Sequence, residues 1–410
     1  MPGYFLDVMR FVKVDRIWPT SRAVVWVAVL AVTTGGFSSA STLVVSNAPT
    51  PCIAATTIYS TIQAAVNAAT PGATIDVCPG TYPEQVVITI PVILTGVTGG
   101  NAANPLITVP VGGVVANTTT ARGGTPIPAA AQLLVQNTSG VTVENLAVDG
   151  SNSGILDCST SLVGIYYQSS SGTVNGVSVQ NQTGFAACGN SLGVYVETEG
   201  AASSTVTIEN STVRFTSGLN IGATYTGTNV TIRNNSVVGS TVSLDNGIYL
   251  ARGATGTVAG NSVIDFVSAP DTLGDTADAS CGIAVSKGSG SITISGNSVG
   301  NTEVGICLYS GTSNNSVVNN KIFNSAPNDG VYVCGNNNLV QNNVITSSND
   351  AAIHLDNTAC TGFGNSNTIT KNVVNGACVG ILVPSGTTGN VLTPNTASNV
   401  ALLKSANICP

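Results

Sequence analysis

The residues best suited to chemistry lie in the last third of the chain. Glu303, Asp329, Tyr332, Asp350 and His354 form the densest polar cluster there, and His354 is the single histidine of the sequence. A pair of carboxyl groups on either side of a glycosidic bond can act as the acid and the base of hydrolysis. A His or Tyr can instead remove the proton next to a uronate carboxyl group, as a lyase requires. We therefore treat these five residues as candidate catalytic groups.

A second set of residues is suited to holding a sugar chain. Aromatic rings stack on sugar faces and carboxylates accept hydrogen bonds from sugar hydroxyl groups. The alternative interpretation is that tyrosine occurs here because it is a good strand residue. The candidate substrate-binding residues are Tyr166, Tyr195, Tyr249, Tyr309 and Asp356.

Both sets belong to a repeat that runs from about residue 163 to residue 383. One phrase is a glycine, a branched apolar residue, any residue and another apolar residue, as in Gly164–Tyr167 and Gly330–Val333. A second phrase begins with asparagine, as in Asn235–Val238 and Asn320–Phe323, and alternates with the first. Self-similarity at steps of roughly 20–50 residues indicates a solenoid, and apolar alternation indicates strands.

The two phrases predict an all-β fold, a single right-handed parallel β-helix with a short N-terminal capping α-helix. An all-β sandwich would not explain two interleaved phrases in phase. Counting from the glycine, positions +1 and +3 are apolar and should face inward, so positions −2, +2 and +4 should face solvent. The repeated asparagines, including Asn210 and Asn235, should stack as a ladder of amides inside a bend.

Composition restricts the partners and the compartment. The formal charge is −7, which argues against a nucleic-acid partner because phosphate binding needs a basic face. Residues 1–40 read as a signal peptide, with a basic region and an apolar run too short to span a bilayer. We therefore expect a secreted (extracellular or periplasmic) protein without a membrane span in the mature chain. Met9 is an alternative start.

The predicted domain plan follows from these patterns. Residues 41–54 form a linker. Residues 55–392 form the β-helix, and its cap helix spans residues 60–70, where Ile62, Ala65 and Val66 make an apolar stripe. Residues 393–410 form a C-terminal tail. Residues 97–133 lack a clear pattern and are expected to leave the first coils as an excursion.

All ten cysteines follow the leader, which predicts a disulfide framework in an exported protein. Cys158 and Cys188 precede the glycines of neighbouring coils by similar intervals, so they should lie almost on top of each other. Cys281 and Cys307 pair by elimination, and their register is poor. The predicted pairs are Cys158–Cys188, Cys52–Cys78, Cys334–Cys360, Cys378–Cys409 and Cys281–Cys307.

The N-terminal part carries a family resemblance. The run Thr61–Val66, followed by Ala73–Val77, Pro79–Glu84 and Leu94–Gly96, resembles the opening of right-handed parallel β-helix proteins of the pectin-lyase-like superfamily. That resemblance implies the fold over about residues 55–390 but no particular chemistry. The chain lacks the catalytic motifs of polygalacturonases, pectate lyases and pectin methylesterases. It also resembles periplasmic copper-associated β-helix proteins, although its single His makes soft-metal ligation improbable.

Two functional hypotheses remain open at this point. The first is a lyase or glycoside hydrolase that contacts a uronate-containing polysaccharide. The second is a structural or adhesive cell-surface protein without catalysis. No cofactor is certain, but Ca²⁺ would suit the acidic loop that contains Asp271, Asp275 and Asp278.

Overall fold

The computed structural model describes residues 41–98, 104–185, 188–239, 246–267, 280–286, 288–325, 328–357, 360, 362–400 and 402–405. Within these ranges the chain forms 36 short strands and one helix, labelled here in chain order. The strands wind into a right-handed parallel β-helix, as predicted. Each full coil contributes three strands, so the solenoid has three long faces.

Face one is a sheet of 13 strands, almost all joined in parallel to the strand one coil away. Its strands are β1 Thr42–Val45, β2 Ile58–Tyr59, β3 Ala73–Val77, β6 Val92–Gly96, β10 Ser139–Glu144, β13 Ser171–Asn175, β16 Ser204–Glu209, β19 Thr228–Arg233, β22 Thr255–Ala259, β25 Thr293–Ser295, β28 Ser316–Val318, β31 Leu339–Gln341 and β33 Thr368–Thr370.

Face two consists of short strands and merges with face three into a second sheet of 23 strands. Its strands are β4 Thr81–Pro83, β7 Leu106–Thr108, β11 Ala147–Asp149, β14 Ser178–Gln180, β17 Thr212–Arg214, β20 Ser236–Val238, β23 Ser262–Phe266, β26 Ser298–Thr302, β29 Lys321–Ser325, the first part of β32 Val344–Leu355, the first part of β34 Val373–Leu382, and β35 Thr396–Ser398.

Face three carries the candidate functional residues. Its strands are β5 Val86–Ile88, β9 Ile127–Gln136, β12 Ser161–Gln168, β15 Ser191–Glu197, β18 Gly218–Thr224, β21 Asn246–Ala251, β24 Cys281–Ser286, β27 Val304–Leu308, β30 Val331–Val333, the second parts of β32 and β34, and β36 Leu402–Ser405. One further strand, β8 Thr118–Thr120, pairs antiparallel with β9 on this face.

The interior is a single apolar column of Val, Ile and Leu side chains from all three faces. The N-terminal end is covered by helix α1, Ile62–Ala68, which buries Ile62, Ala65 and Val66. Thr61 caps this helix, and the Glu84 carboxylate accepts hydrogen bonds from the backbone N–H groups of Ile62 and Gln63. An anionic acceptor at a helix N-terminus satisfies otherwise unpaired donors.

A buried ladder of asparagine amides runs along the bend between faces one and two. Each amide Nδ2 donates to the Oδ1 of the next asparagine at 2.9–3.0 Å. That Oδ1 also accepts the backbone N–H of the asparagine below it. The ladder comprises Asn235, Asn261, Asn297, Asn320, Asn343, Asn372 and Asn395.

The prediction that Asn210 belongs to this ladder is wrong. Val213 pairs in register with Val237, so Ser211 rather than Asn210 lies opposite Asn235. Ser211 donates its backbone N–H to Asn235 Oδ1. Asn210 occupies the preceding bend position with φ of 52°, a left-handed conformation that asparagine tolerates better than most residues.

Two predicted boundaries differ from the structure. Residues 41–54 were expected to be a linker, but β1 lies within them and pairs with β3, burying Val44 and Val45. Residues 393–410 were expected to be a tail, but β35 and β36 pair with β34 and continue the solenoid. Both segments contain short strands that pair with the neighbouring coil.

Four of the five predicted disulfides are present: Cys52–Cys78, Cys158–Cys188, Cys281–Cys307 and Cys334–Cys360, with Cα–Cα distances of 5.4–6.2 Å. Cys281 lies opposite Val304, whereas Cys307 lies opposite Ala284. The third bond therefore runs diagonally between β24 and β27, which explains its poor register. Cys409 of the predicted pair Cys378–Cys409 lies outside the described ranges. The acidic loop residues Asp271, Asp275 and Asp278 and the leader also lie outside them.

Helices are scarce in this fold. Among the residues described, none of them forms a helix with the length and hydropathy needed to cross a bilayer.

The ladder yields a stability prediction. In Asn320→Ala, the backbone N–H and the amide of Asn297 both lose their acceptor inside the bend. Because each buried unpaired polar group costs about 1–3 kcal/mol, we expect a loss of about 2–4 kcal/mol in the free energy of unfolding, measured by denaturant titration. Asn229→Ala, which removes an exposed amide contact to Thr255, is the control and should change stability by less than about 0.5 kcal/mol. Equal effects would contradict a stabilising ladder.

Candidate functional site

Stacking of the coils brings the predicted catalytic residues together on face three. Cys307 pairs in register with Tyr332, and Tyr332 pairs in register with His354. In this parallel sheet, registered residues on the same side are neighbours about 4.8 Å apart. The tyrosine and histidine rings meet edge to face, with centroids 5.5 Å apart.

Asp329 and His354 form a hydrogen-bonded pair. Asp329 Oδ2 lies 2.8 Å from His354 Nδ1, and Asp329 Oδ1 accepts the backbone N–H of Ala351 at 3.1 Å. The Asp329 carboxylate is fully buried. These contacts fix the imidazole orientation and place a proton on Nδ1. Nε2 makes no hydrogen bond to any described residue and is the nitrogen left for chemistry.

Asp350 completes the cluster. One ionisable atom from each of Asp329, Asp350 and His354 lies within 4.8 Å of the other two. Asp350 is half-buried, and its Oδ1 has no hydrogen-bond partner among the residues described. Burial raises the pKa of Asp350, the charge of Asp329 raises it further, and His354 opposes both effects.

The surroundings also raise the pKa of His354 above its ordinary value of 6.5. Burial acts to lower this pKa, but the Asp329 hydrogen bond and the charges of Asp329, Asp356 and Asp350 outweigh it. A raised pKa favours the imidazolium form at neutral pH. The surroundings therefore favour the cationic form of His354 beside Asp350.

Tyr332 and Asp356 were expected to face solvent, and this expectation is wrong. Tyr332 is 3% exposed, and its hydroxyl donates to Asp356 Oδ2 at 2.6 Å. Tyr332 belongs to an apolar cluster with Cys334 and Cys360, against which Phe363 packs. Tyr332 is therefore a packed neighbour of His354 rather than an exposed base.

Glu303 is buried as well, against the prediction that it faces solvent. Its Oε2 accepts the backbone N–H of Ser280 at 2.8 Å. The register Ile306–Val331–Ile353 places Glu303 and Asp350 at equivalent positions on alternate coils, as predicted. The Glu303 carboxylate is nevertheless engaged with backbone, whereas Asp350 reaches the surface.

The prediction of an exposed stripe of tyrosines is also wrong for its first two members. Tyr166 and Tyr195 are fully buried, and their hydroxyls bond to Thr119 O and Thr224 Oγ1. They are covered by residues 117–124, called the strap below, which cross the outer side of face three. Tyr249 and Tyr309 are only half-buried, so they keep some accessible ring surface.

The strap and its arginine, Arg122, were not predicted from the sequence. Arg122 Nη1 donates to Gly189 O, and Glu197 accepts hydrogen bonds from Thr120 and Ala121 of the strap. Arg122 is the single charged residue of the otherwise patternless segment 97–133. That isolation is the signal that could have singled it out.

Three solved structures are similar to the chain over most of its length. The Dettilon tailspike protein is 16% identical with a TM-score of 0.50, and it covers 81% of this chain, which spans 62% of the tailspike. The A-module of mannuronan C-5 epimerase AlgE4 from Azotobacter vinelandii is 15% identical with a TM-score of 0.53, covering 84% and 94% of the two chains. The GH136 lacto-N-biosidase from Eubacterium ramulus is 13% identical with a TM-score of 0.53, covering 88% and 67%. At these identities the likeness shows the fold alone.

Comparison of sequences gives a narrower result. No curated protein matches the chain. The family described as "Periplasmic copper-binding protein (NosD)" matches residues 115–328 and 272–407. Because these two overlapping matches together cover well over half of the sequence, the chain belongs to the NosD family of β-helix proteins.

Proposed function

We propose that this protein works outside the cytoplasm, binds a polysaccharide along face three, and cleaves a uronate-containing glycan by β-elimination at Asp350 and His354. The observation that carries the proposal is the pairing of His354 with buried Asp329 beside a half-exposed Asp350. Four disulfides support an extracytoplasmic location.

The spacing of the acid and the base favours elimination over hydrolysis. Retaining glycosidases hold their carboxyl groups about 5–5.5 Å apart, and inverting ones about 6.5–9.5 Å, to make room for a water molecule. The ionisable atoms of Asp350 and His354 lie within 4.8 Å. Glu303, the other candidate carboxylate, is buried against Ser280. A short separation suits a base and an acid that act on adjacent carbon atoms of one sugar.

The proposed step balances with these two side chains. Asp350 accepts the proton from C5 of a uronate, which the adjacent carboxyl group acidifies. The electron pair forms the C4–C5 double bond as the C4–O bond breaks. The leaving oxygen takes the Nε2 proton of His354. Asp350 then releases its proton to water, and His354 takes up a proton from water.

Asp329 acts through His354 in this scheme. Its carboxylate holds Nδ1–H and stabilises the imidazolium. The raised pKa of His354 favours the protonated form that the acid needs, and the raised pKa of Asp350 makes it a stronger base than an ordinary carboxylate. Asp329 is therefore a positioning residue rather than a catalytic one.

The comparisons are compatible with a sugar polymer as the ligand. The similar structures include a mannuronan epimerase and a lacto-N-biosidase. Those activities belong to those proteins. We infer a polysaccharide ligand here because the half-buried Tyr249 and Tyr309 offer ring surface on the face that carries the cluster.

Copper, which the family description names, does not fit the residues of this chain. Copper(I) sites use thiolates and thioethers, and copper(II) sites use several imidazoles. His354 is the single imidazole, and both methionines, Met1 and Met9, fall outside the described ranges. The described cysteines are disulfide-bonded. We derive no step through a copper ion.

One observation favours a non-catalytic role as the second candidate. The His354 side chain is only 11% exposed, so a bulky polymer meets mostly Asp350 at this position. A structural or adhesive protein would bind glycans without turning them over. The experiment below separates the two functions.

We expect the protein to release unsaturated oligosaccharides from a polyuronate and to leave neutral glucans intact. Ultraviolet absorbance reports the new double bond, and a reducing-end assay reports all cleavage. His354→Gln and Asp350→Asn should each lower the rate by about 100-fold or more, since each removes a proton-transfer group.

Asp76→Asn is the matched control, because Asp76 is also a half-buried carboxyl group whose pKa burial raises, but on face one. It should leave the rate unchanged. Reducing ends without ultraviolet absorbance would contradict elimination and indicate hydrolysis. Binding without product would support the adhesive role.

The activity should have a bell-shaped dependence on pH. On the acid side the rate falls as Asp350 becomes protonated, at a pH above that of an ordinary aspartate because its pKa is raised. On the alkaline side it falls as His354 loses its proton, above pH 6.5 because its pKa is raised. A profile of kcat/KM tests this. A rate that still increases above the pKa of His354 would show that histidine acts as the base instead.

A stability measurement tests the same electrostatics without a substrate. A raised pKa in the folded state stabilises the protein below the unfolded pKa, and this stabilisation is lost as pH rises through the folded pKa. The difference in Tm between the wild-type protein and His354→Gln should therefore be larger at about pH 5.5 than at about pH 8.5. A difference independent of pH would contradict the Asp329–His354 ion pair.

A further inference from the structure

A cavity lies between the strap and face three, away from the Asp350–His354 cluster. Its volume is about 270 Å³, and its lining includes Arg122, Ser161, Asn190 and Tyr249. Ligand pockets are usually about 300–1,000 Å³, so this one suits a single sugar unit. Its walls combine a guanidinium, an amide, a hydroxyl and an aromatic ring.

The strap is held in place by contacts that leave the guanidinium of Arg122 without a counter-charge. Nη1 donates to Gly189 O at 2.6 Å, and the backbone carbonyl of Arg122 accepts from Arg252 Nε at 3.1 Å. The Glu197 carboxylate is occupied by Thr120 Oγ1 and the Ala121 N–H. In the described part of the chain, Arg122 forms no ion pair with a carboxylate.

A guanidinium that lies beside the cavity without a counter-charge costs free energy. Burial lowers the pKa of Arg122, which indicates that its charge is poorly solvated. Arg252 adds a second cation beside the strap, with its guanidinium 5.6 Å from the Tyr225 ring centroid. An anion that entered the cavity would recover the lost solvation of Arg122. A planar carboxylate matches the fork of guanidinium donors.

The remaining walls fit a sugar that carries this carboxylate. The Tyr249 ring is half-buried and its hydroxyl bonds to none of the described residues, so it offers both a stacking surface and a donor. Asn190 Nδ2 donates to Cys158 O, and its carbonyl oxygen makes no hydrogen bond with the part of the chain described. Acceptors of this kind bind sugar hydroxyl groups.

We propose that the Arg122 cavity is a binding subsite for the carboxylate of an acidic sugar residue. The subsite deepens the proposed polysaccharide function but does not depend on the catalytic step. Tyr249, Ala284, Cys307, Tyr332 and His354 occupy one continuous register. Four coil steps separate Tyr249 from His354, which is about 19 Å along the axis. An oligosaccharide of a few units spans that length.

The test measures binding of polyuronate oligosaccharides to the full chain by calorimetry. Arg122→Gln should weaken the Kd by about 10- to 100-fold, because it removes a charged hydrogen-bond donor. Arg122→Lys keeps the positive charge without the fork of guanidinium donors, so its Kd should lie between those of the wild-type protein and Arg122→Gln. Arg214→Gln, an exposed arginine bonded to Gln180 on face two, is the control and should bind like the wild-type protein. Tyr249→Phe gives a second probe of the cavity with a smaller perturbation, and melting curves verify folding of each variant.

Two further ligands define what would overturn the proposal. Methyl-esterified oligosaccharides lack the carboxylate and should bind to the wild-type protein as weakly as the acidic ones bind to Arg122→Gln. Equal affinity for the acidic and esterified forms would contradict a carboxylate subsite. Equal affinity for acetate and the oligosaccharide would show an anion site without sugar recognition and would also overturn it.

The result is distinguishable from the fate of the proposed reaction. Asp350→Asn should lower the rate of product formation by about 100-fold or more, while the ratio of the Kd values with and without Arg122→Gln stays the same. If Arg122→Gln binds and cleaves like the wild-type protein, the subsite is wrong and the reaction stands. If the wild-type protein binds acidic oligosaccharides through Arg122 but forms no product, the reaction is wrong and the subsite stands.

Discussion

The structure depends on one constraint: each coil must hydrogen-bond to the next in unbroken parallel register along the axis. Backbone pairing supplies this on the faces, but the bends have no strand neighbours to satisfy their polar groups. The asparagine amides from Asn235 to Asn395 replace the missing partners, because each one donates to and accepts from the coil on either side. A bend built in this way can be buried without an energetic penalty for unpaired groups.

The same register determines which side chains meet. Asp329 and His354 lie 25 residues apart in sequence, yet they touch because a single coil step separates them. Outward-facing residues at the same position on successive coils of a β-helix lie at a fixed spacing along the axis. An Asp–His pair with a neighbouring carboxylate can therefore arise from two adjacent coils.

Sequence periodicity was sufficient to predict the coils but not the segments that cover their outer side. Inward positions such as Ile306 and Val331 follow directly from the alternation. The burial of Tyr166 does not, because it depends on Thr119, 47 residues earlier in a segment without pattern. Contacts between Arg252 and Arg122 span 130 residues. Long-range packing of an irregular segment produces no periodic pattern in the sequence, so the exposure of side chains on face three was predicted wrongly. The proximity of Asp329 and His354 follows from the coil repeat and could be predicted.

Charge is distributed unevenly along face three, and this gives the face a direction. Arg122 and Arg252 lie together at the strap, whereas Asp329, Asp350 and Asp356 surround a single histidine several coils away. Glu197 and Glu199 also lie near the strap, and their carboxylates accept hydrogen bonds from Thr120, Ala121 and Gln168. A polyanion is attracted at the strap and repelled by the acidic end, except where the imidazolium of His354 lies. In the proposed complex, an acidic sugar residue lies at the strap and the sugar at the cluster is held chiefly by His354.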